Sequence, residues 1–284
     1  MAGGAAVIAG RLPRSLEKTS IDGVELTLMP PVRSDDEWID YNRYRQQLQA
    51  AWLRLSSVEP PLNPRLIGEP GLGKTTLACA AARVLQRDVY IFQCTMDTRP
   101  EDLVITPVIT GNRKIEYRAS SVVSAMIRGG ILVLDEGNRM PEKTWASLAP
   151  LLDGRRYVDS AITAIRVRSA PDFRICVTMN DDSSVYELPG YIQSRLKPKI
   201  ELVPPRWAIK ERIVKLKCPG VEADLLKRIF AELKARAATQ CRDSIRDILS
   251  LAQYAQKLQI EHIDQPLRKA VEQVLAKPDA TAST

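Results

Sequence analysis

The sequence predicts an α/β chain: a mostly parallel five-stranded sheet with helices on its faces, followed by a wholly helical lobe. Three observations carry this expectation. Between residues 60 and 203, short apolar runs bounded by turn residues alternate with helical patterns, as strand–helix–strand units do. The pair Pro204-Pro205 ends that alternation, and the chain beyond it reads as helix. With 284 residues, 45% hydrophobic and 26% charged, the chain has the length and composition to bury a core.

The first 59 residues hold an extended piece, Gly23 to Met29, stopped by Pro30 and Pro31, and a polar helix from about Asp35 to Leu55 with Ser34 as its N-cap. This segment precedes the core or packs on it. Pro60, Pro61 and Pro64 interrupt the chain just before the first core strand, Leu66 to Ile67. Further strands are expected at Val89 to Gln93, Ile131 to Leu134 and Arg174 to Thr178, with a fifth near Pro198 to Leu202. Helices fall between them at Thr76 to Gln86 and Pro141 to Leu152. The α/β unit therefore spans 60–203. A helical domain at 204–276 carries helices near 207–217, 221–238, 242–258 and 264–276, and a short polar tail, 277–284, closes the chain.

Composition excludes several classes. The longest apolar stretches, such as Ile131 to Leu134, fall far short of the roughly 20 residues of a membrane span. Met1 to Gly10 lacks the basic leader of a secretory signal, so the chain is expected to be cytoplasmic, without membrane insertion. Five cysteines, odd in number and never in a C-x-x-C pair, predict buried thiols and neither a disulfide framework nor a zinc site. A single histidine, His262, leaves no multi-histidine metal site and no Ser-His-Asp triad. The net charge of +7 is uneven: residues 191–284 hold 18 Lys plus Arg against 11 Asp plus Glu, and the rest of the chain balances. Such a surplus favours phosphate-bearing or acidic partners.

The strongest signal is Gly68-Glu69-Pro70-Gly71-Leu72-Gly73-Lys74-Thr75, which matches G-x-x-x-x-G-K-[ST] at every fixed position. It directly follows a strand and opens a helix through Thr76, the context this motif requires. The glycines let the backbone turn tightly and aim successive N–H groups at phosphate oxygens, and the helix N-terminus adds partial positive charge. Lys74 is placed to reach the β- and γ-phosphates of ATP, and the Thr75 hydroxyl to bind Mg²⁺. Downstream, Ile131-Leu-Val-Leu-Asp135-Glu136 is a buried strand ending in two acids. At the carboxyl end of a parallel strand, Asp135 can hold the Mg²⁺ shell and Glu136 can activate the attacking water. Asn180, after the apolar strand Arg174 to Thr178, can touch both the γ-phosphate and that water.

Taken together, these three elements resemble the Walker A, Walker B and sensor-1 motifs of an AAA+ ATPase. The stretch Asp135-Glu-Gly-Asn-Arg-Met-Pro-Glu-Lys-Thr144, continuing to Leu151-Leu-Asp-Gly-Arg-Arg156, is similar to the MoxR and dynein-related branch of that family. Gln93-Cys-Thr and Arg99-Pro-Glu-Asp102 resemble the same branch. The likeness covers about residues 60 to 255. It implies a P-loop NTPase fold, ATP hydrolysis with Mg²⁺, and a ring of six subunits with ATP at each interface. Leu188-Pro-Gly-Tyr-Ile-Gln-Ser-Arg195 resembles the segment bearing the family's arginine finger, which makes Arg195 the residue that reaches the neighbour's nucleotide; Ser194 and Leu196 depart from the usual Asp and Phe, and Arg206 is the fallback. Asp243-Ser-Ile-Arg246 resembles the sensor-2 segment, with Ile245 in place of Pro, so that Arg246 would touch the nucleotide.

The resemblance further implies a chaperone-like motor working on a protein partner, in that branch often a von Willebrand factor A domain protein. The alternative is an ATP-dependent nucleic-acid machine using the basic last third. Two hairpins could carry the output in either case: Leu103 to Tyr117, with Gly111-Asn112 as its turn and Arg113 and Lys114 at its tip, and Tyr157 to Val167.

Overall fold

The computed structural model describes residues 17–33, 36–56, 58–111, 113–181, 187–238 and 243–275. Ser34, Asp35, Asn112, Cys241 and the tail therefore lie outside the described residues. In chain order, β1 (Lys18–Ile21) and β2 (Val24–Thr27) are followed by α1 (Tyr44–Trp52), β3 (Arg65–Gly68), α2 (Lys74–Val84) and β4 (Val89–Gln93). The hairpin β5 (Ile105–Ile109) and β6 (Ile115–Ala119) precedes α3 (Ser121–Arg128), β7 (Ile131–Asp135) and α4 (Glu142–Leu152). Then come β8 (Tyr157–Ser160), β9 (Ile165–Arg168), β10 (Arg174–Asn180), α5 (Gly190–Arg195) and β11 (Lys199–Glu201). Four helices end the described chain: α6 (Trp207–Lys217), α7 (Ala223–Ala238), α8 (Ile245–Ile260) and α9 (Pro266–Val274).

The five core strands form one sheet in the order β11-β3-β10-β7-β4, and every neighbouring pair in it is parallel. This is the expected α/β architecture, a five-stranded parallel sheet with helices C-terminal to it. Alternate residues of one strand point to opposite faces, and the core divides accordingly. Leu132 and Leu134 of β7 join one apolar cluster, with Met126, Trp145 and Leu148. Ile131 and Val133 join another on the opposite side, with Leu48, Trp52 and Leu77. Burying each such aliphatic side chain stabilises the fold by about 1.5–3 kcal/mol. The last four helices build a third cluster around Ile229, Leu233, Ile248 and Leu251.

Local signals set the helix ends. Ser120 caps α3, its hydroxyl accepting from the Val123 amide at 3.2 Å, and Gly129 closes that helix at φ 67°. Ser244 and Asp247 form a reciprocal capping box at the start of α8. Alanine-rich α2 combines good intrinsic propensity with burial of Leu77, Ala78, Ala81 and Ala82 against the sheet.

Two parts of the N-terminal region differ from expectation. The extended piece near Gly23 to Met29 is half of a hairpin, and β1, β2, β6 and β5 make a second, four-stranded sheet. The helix expected from Asp35 to Leu55 is only Tyr44–Trp52; residues 36–43 run without regular structure. Anchoring defeats helix propensity here. Trp38 stacks on Tyr41 with ring centroids 5.5 Å apart, the Tyr41 hydroxyl donates to the Val203 carbonyl at 3.2 Å, and Asn42 and Arg43 take left-handed backbone angles that no helix can contain. Among the described residues, no helix is long and apolar enough to cross a membrane, and Cys79, Cys94, Cys176 and Cys218 are buried free thiols. Burial pushes the Cys94 thiol up to about 12, with the charges of Asp135 and Glu136 adding to it.

Candidate functional site

The carboxyl ends of β3, β10, β7 and β4 meet at one edge of the parallel sheet, where Asn180 lies opposite Gly68 and Gln93 opposite Asp135. Between β3 and α2 the chain makes the turn 69–73. Gly71 and Gly73 both sit at φ 81°, a region that excludes ordinary side chains. Space is tight there as well: a Cβ on Gly71 would lie 3.0 Å from the Ser244 hydroxyl and one on Gly73 3.1 Å from the Trp38 ring. At both glycines the turn presents backbone alone, and the helix N-terminus that follows has no side-chain cap. Amides left in this state are what a phosphate group takes up.

The chemistry-bearing side chains converge on that turn. Lys74 is 7% exposed, and its ammonium donates to the carbonyls of Gly68 at 2.8 Å and Glu69 at 3.0 Å and to Asn180 Oδ1 at 2.9 Å. The Thr75 hydroxyl donates to Asp135 Oδ1 at 2.7 Å. Glu136 accepts from Asn180 Nδ2 at 3.3 Å through Oε1, while Oε2 faces Gln93 Nε2 at 3.3 Å and Arg139 Nε at 2.9 Å. Its backbone is left-handed, φ 55°, which turns the carboxylate away from the strand direction.

A cleft of about 610 Å³ opens above these groups, lined by Pro70, Gly71, Leu72, Gly73, Lys74, Thr75, Thr76, Asp135, Glu136 and Asn180 on the sheet side and by Ile245, Arg246 and Leu249 of the helical lobe. Such a volume suits a nucleotide-sized ligand. A hydroxyl and a carboxylate side by side are hard oxygen donors of the kind Mg²⁺ takes, with water and phosphate filling its remaining positions. The residues present thus fit a magnesium nucleotide.

The structure brings together every residue expected at the phosphate site, with the Gly68 carbonyl reaching it through Lys74. It brings Arg246 to the cleft wall. Arg195 and Arg206 are elsewhere: Arg195 donates to the Tyr191 carbonyl at 2.7 Å and faces Asp153 at 3.4 Å, and Arg206 is the N-cap residue of α6.

Further contributors carry no site role in the sequence reading, although Gln93 and Arg139 lie within the segments that resemble the dynein-related branch. Thr178 donates to Asp135 in a short hydrogen bond and accepts the Glu136 amide at 3.1 Å; it stands two residues before Asn180, hence on the same strand face, a signal present in the sequence. Gln93 ends the strand next to the acid pair. Arg139 lies three residues after Glu136, one helical turn away. Asp36, Glu37, Trp38, Ile39 and Tyr41 also line the cleft, and only the tertiary path of that segment brings them there.

Comparison with known proteins agrees with this geometry. Residues 65–196 match the profile of the AAA domain (dynein-related subfamily). An uncharacterised protein of Staphylococcus epidermidis is 27% identical over 174 residues, covering 60% of this chain and 60% of that protein, and one of Staphylococcus aureus is equally similar over the same shares. The chain thus spans about 60% of the length of the curated relatives it matches. Among solved structures, the fold resembles the Thermotoga maritima RuvB Holliday junction branch migration motor, at 17% identity and a TM-score of 0.54 over 82% of this chain and 69% of that one. A point mutant of the same motor gives 18% identity and a TM-score of 0.58 over 85% and 72%.

Proposed function

We propose, from the match of residues 65–196 to the AAA domain (dynein-related subfamily), that this chain is an ATP-hydrolysing AAA+ motor of MoxR type that assembles in a ring, six subunits being the expected number, and remodels or activates a protein partner. The observation that carries the reading is the convergence of Lys74, Thr75, Asp135, Glu136 and Asn180, from three separate segments, onto one glycine turn. Each has the chemistry the reaction needs. Lys74 and the amides of the turn bind the β- and γ-phosphates; Thr75 and Asp135 would hold Mg²⁺, which would neutralise phosphate charge there. Asn180 orients a water and Glu136 takes its proton as the water oxygen bonds to the γ-phosphorus and the bridging P–O bond breaks, giving ADP and phosphate. Arg246 contributes a cation from the helical lobe.

Arg195 supplies the missing charge in trans. Its guanidinium is directed to the Tyr191 carbonyl of α5 and to Asp153 at the end of α4, and it does not line its own cleft; an arginine provided by a neighbour accelerates phosphoryl transfer by about 10³–10⁵. Arg195→Ala should lower turnover at saturating ATP by at least about 10²-fold, with nucleotide affinity within about threefold of the unmodified protein; full turnover in this variant moves the finger to another residue. Calorimetric titration with magnesium and ATP tests the reading as a whole, and no heat of binding overturns it.

The partner is a protein on this reading. At the β5–β6 hairpin, Ile109 and Ile115 face each other across the strands and are 75% and 62% exposed, an apolar pair suited to a protein surface beside the cations Arg113 and Lys114. A nucleic-acid partner is the alternative, favoured by the surplus of positive charge in residues 191–284. Salt separates the two. Capture of a nucleic acid would weaken with a steep log–log slope in salt concentration, about one per phosphate neutralised; partner binding through the isoleucines should change by less than about threefold between 50 and 200 mM salt.

A further inference from the structure

The parallel ladder between β10 and β7 ends where the candidate chemistry begins. Its last paired residues are Val177 and Leu134, so one step further along the strands Thr178 stands beside Asp135. Beyond that point side chains replace the backbone ladder. The Thr178 hydroxyl accepts from the Glu136 amide at 3.1 Å, and Asn138 Nδ2 donates to the Asn180 carbonyl at 2.9 Å. These two bonds zip the exit of β7 to the end of β10 across the left-handed backbone of Glu136, φ 55°. A non-glycine residue keeps such an angle only where its surroundings hold it there. Both holding groups are buried, Thr178 at 1% and Asn138 at 8% exposure.

Thr178 does more than extend the ladder. A hydroxyl has one proton and two lone pairs, and this one gives its proton to Asp135 Oδ1, the oxygen that also takes the Thr75 proton at 2.7 Å. One side chain thereby links two consecutive residues with different tasks. Both hydroxyls fall on Oδ1, and among the described residues Oδ2 receives no hydrogen bond. The carboxylate is therefore held by one oxygen, with the other left for a ligand in the cleft that Asp135 lines. Packing alone asks for no hydroxyl here. Thr178 belongs to the buried run Ile175 to Met179, where it is the one hydroxyl-bearing residue, and its branched side chain has little rotamer freedom, so the strand sets the direction of both bonds.

We propose that Thr178 is a positioning residue with two effects: it orients Asp135 toward magnesium and, through the Glu136 amide, fixes the backbone from which the general base projects. The proposal rests on the ATPase reading above and deepens it at the same site. Partners that orient metal-binding carboxylates typically change metal affinity or activity by about 10–100-fold when removed. Without the hydroxyl, Asp135 keeps Thr75 as its one hydroxyl donor and can turn about its side-chain bonds, while the Glu136 amide loses its acceptor. The two groups then lose their common reference. Asn180 and Gln93 do not replace it, because they hold Glu136 by its carboxylate, and among the described residues Thr178 alone accepts its amide.

Two substitutions in the full chain test this: Thr178→Val keeps the shape and removes the hydroxyl, and Thr178→Ser keeps the hydroxyl and removes the methyl. In the hydrolysis-blocked Glu136→Gln background, adding Thr178→Val should raise the magnesium concentration that supports half of the calorimetric ATP binding by ~10-fold, a readout that needs no turnover. As a single variant at saturating magnesium, Thr178→Val should lower kcat by ~10–100-fold with the KM for ATP within about threefold of the unmodified value. Thr178→Ser should bring both the magnesium requirement and kcat back to within about fivefold. Thermal melts check folding, and Thr178→Ala takes the place of Thr178→Val if the valine variant does not fold. An unchanged magnesium requirement in the variant lacking the hydroxyl overturns the proposal. So does a folded serine variant as impaired as the valine one, since that assigns the effect to the methyl group. Absence of magnesium-dependent ATP binding in the unmodified protein overturns the ATPase reading beneath it, a distinct result.

Discussion

Replacing Lys74 by alanine should leave a folded protein whose affinity for ATP has fallen by at least about 100-fold. The ammonium is buried and held by three oxygens, two from the backbone of the glycine turn and one from Asn180. It is thus aimed over the turn before any ligand arrives, and binding needs little ordering of a flexible side chain. A charge-assisted contact to a phosphate is worth about 1.5–3 kcal/mol, and Lys74 offers its charge to more than one phosphate oxygen. The fold depends on it far less. Gly68 and Glu69 keep carbonyls that water can satisfy at the cleft, and α2 gains a stronger helix former at its first position. Calorimetry with magnesium ATP measures the first effect and a thermal melt the second. Affinity within threefold of the unmodified protein would show that the glycine turn does not hold phosphate.

Glu136→Gln should separate binding from hydrolysis. Glutamine matches the length and shape of glutamate but takes no proton from water, and a positioned general base is worth about 10²–10⁴ in rate. Turnover should fall by that factor. Glu136 makes no hydrogen bond with Lys74 or Thr75; its partners are Asn180, Gln93 and Arg139. ATP should therefore bind with its affinity changed by less than about threefold. Because ATP then persists at the interface, assemblies should survive dilution that dissociates the unmodified protein, as size-exclusion chromatography would record. A variant that hydrolyses ATP at the full rate would assign the base elsewhere.

Local features of this chain are legible in its sequence, and long-range ones are not. The glycine turn, the acid pair and Asn180 can be located from sequence because each is a local event. Gly71 and Gly73 permit the left-handed angles a tight turn needs, and an apolar run ending in acids can hardly be anything but a buried strand with its polar end at an edge. The helix expected for Asp35 to Leu55 fails for the opposite reason: Trp38, Tyr41 and Tyr44 are fastened to Gly73, Val203 and one another, none of which the local pattern reveals. Ile109 and Ile115 read as ordinary strand residues, and their exposure follows from a hairpin face that nothing in the described chain covers.

By itself the sequence determined which residues make the glycine turn, which acids stand beside it, and that the strands are parallel with the turn at their carboxyl ends. Only the tertiary structure decided which distant residues join them. Thr178 reaches Asp135 because β10 lies between β3 and β7, Trp38 closes one wall because its segment crosses the cleft, and Asp153 gathers Arg155 and Arg195 because α4 and α5 end at the same place. The physical reason is that backbone conformation is fixed largely by a few consecutive residues, whereas strand order, register and the meeting of helix ends are fixed by burying the two faces of the sheet together, a sum over contacts remote in the chain.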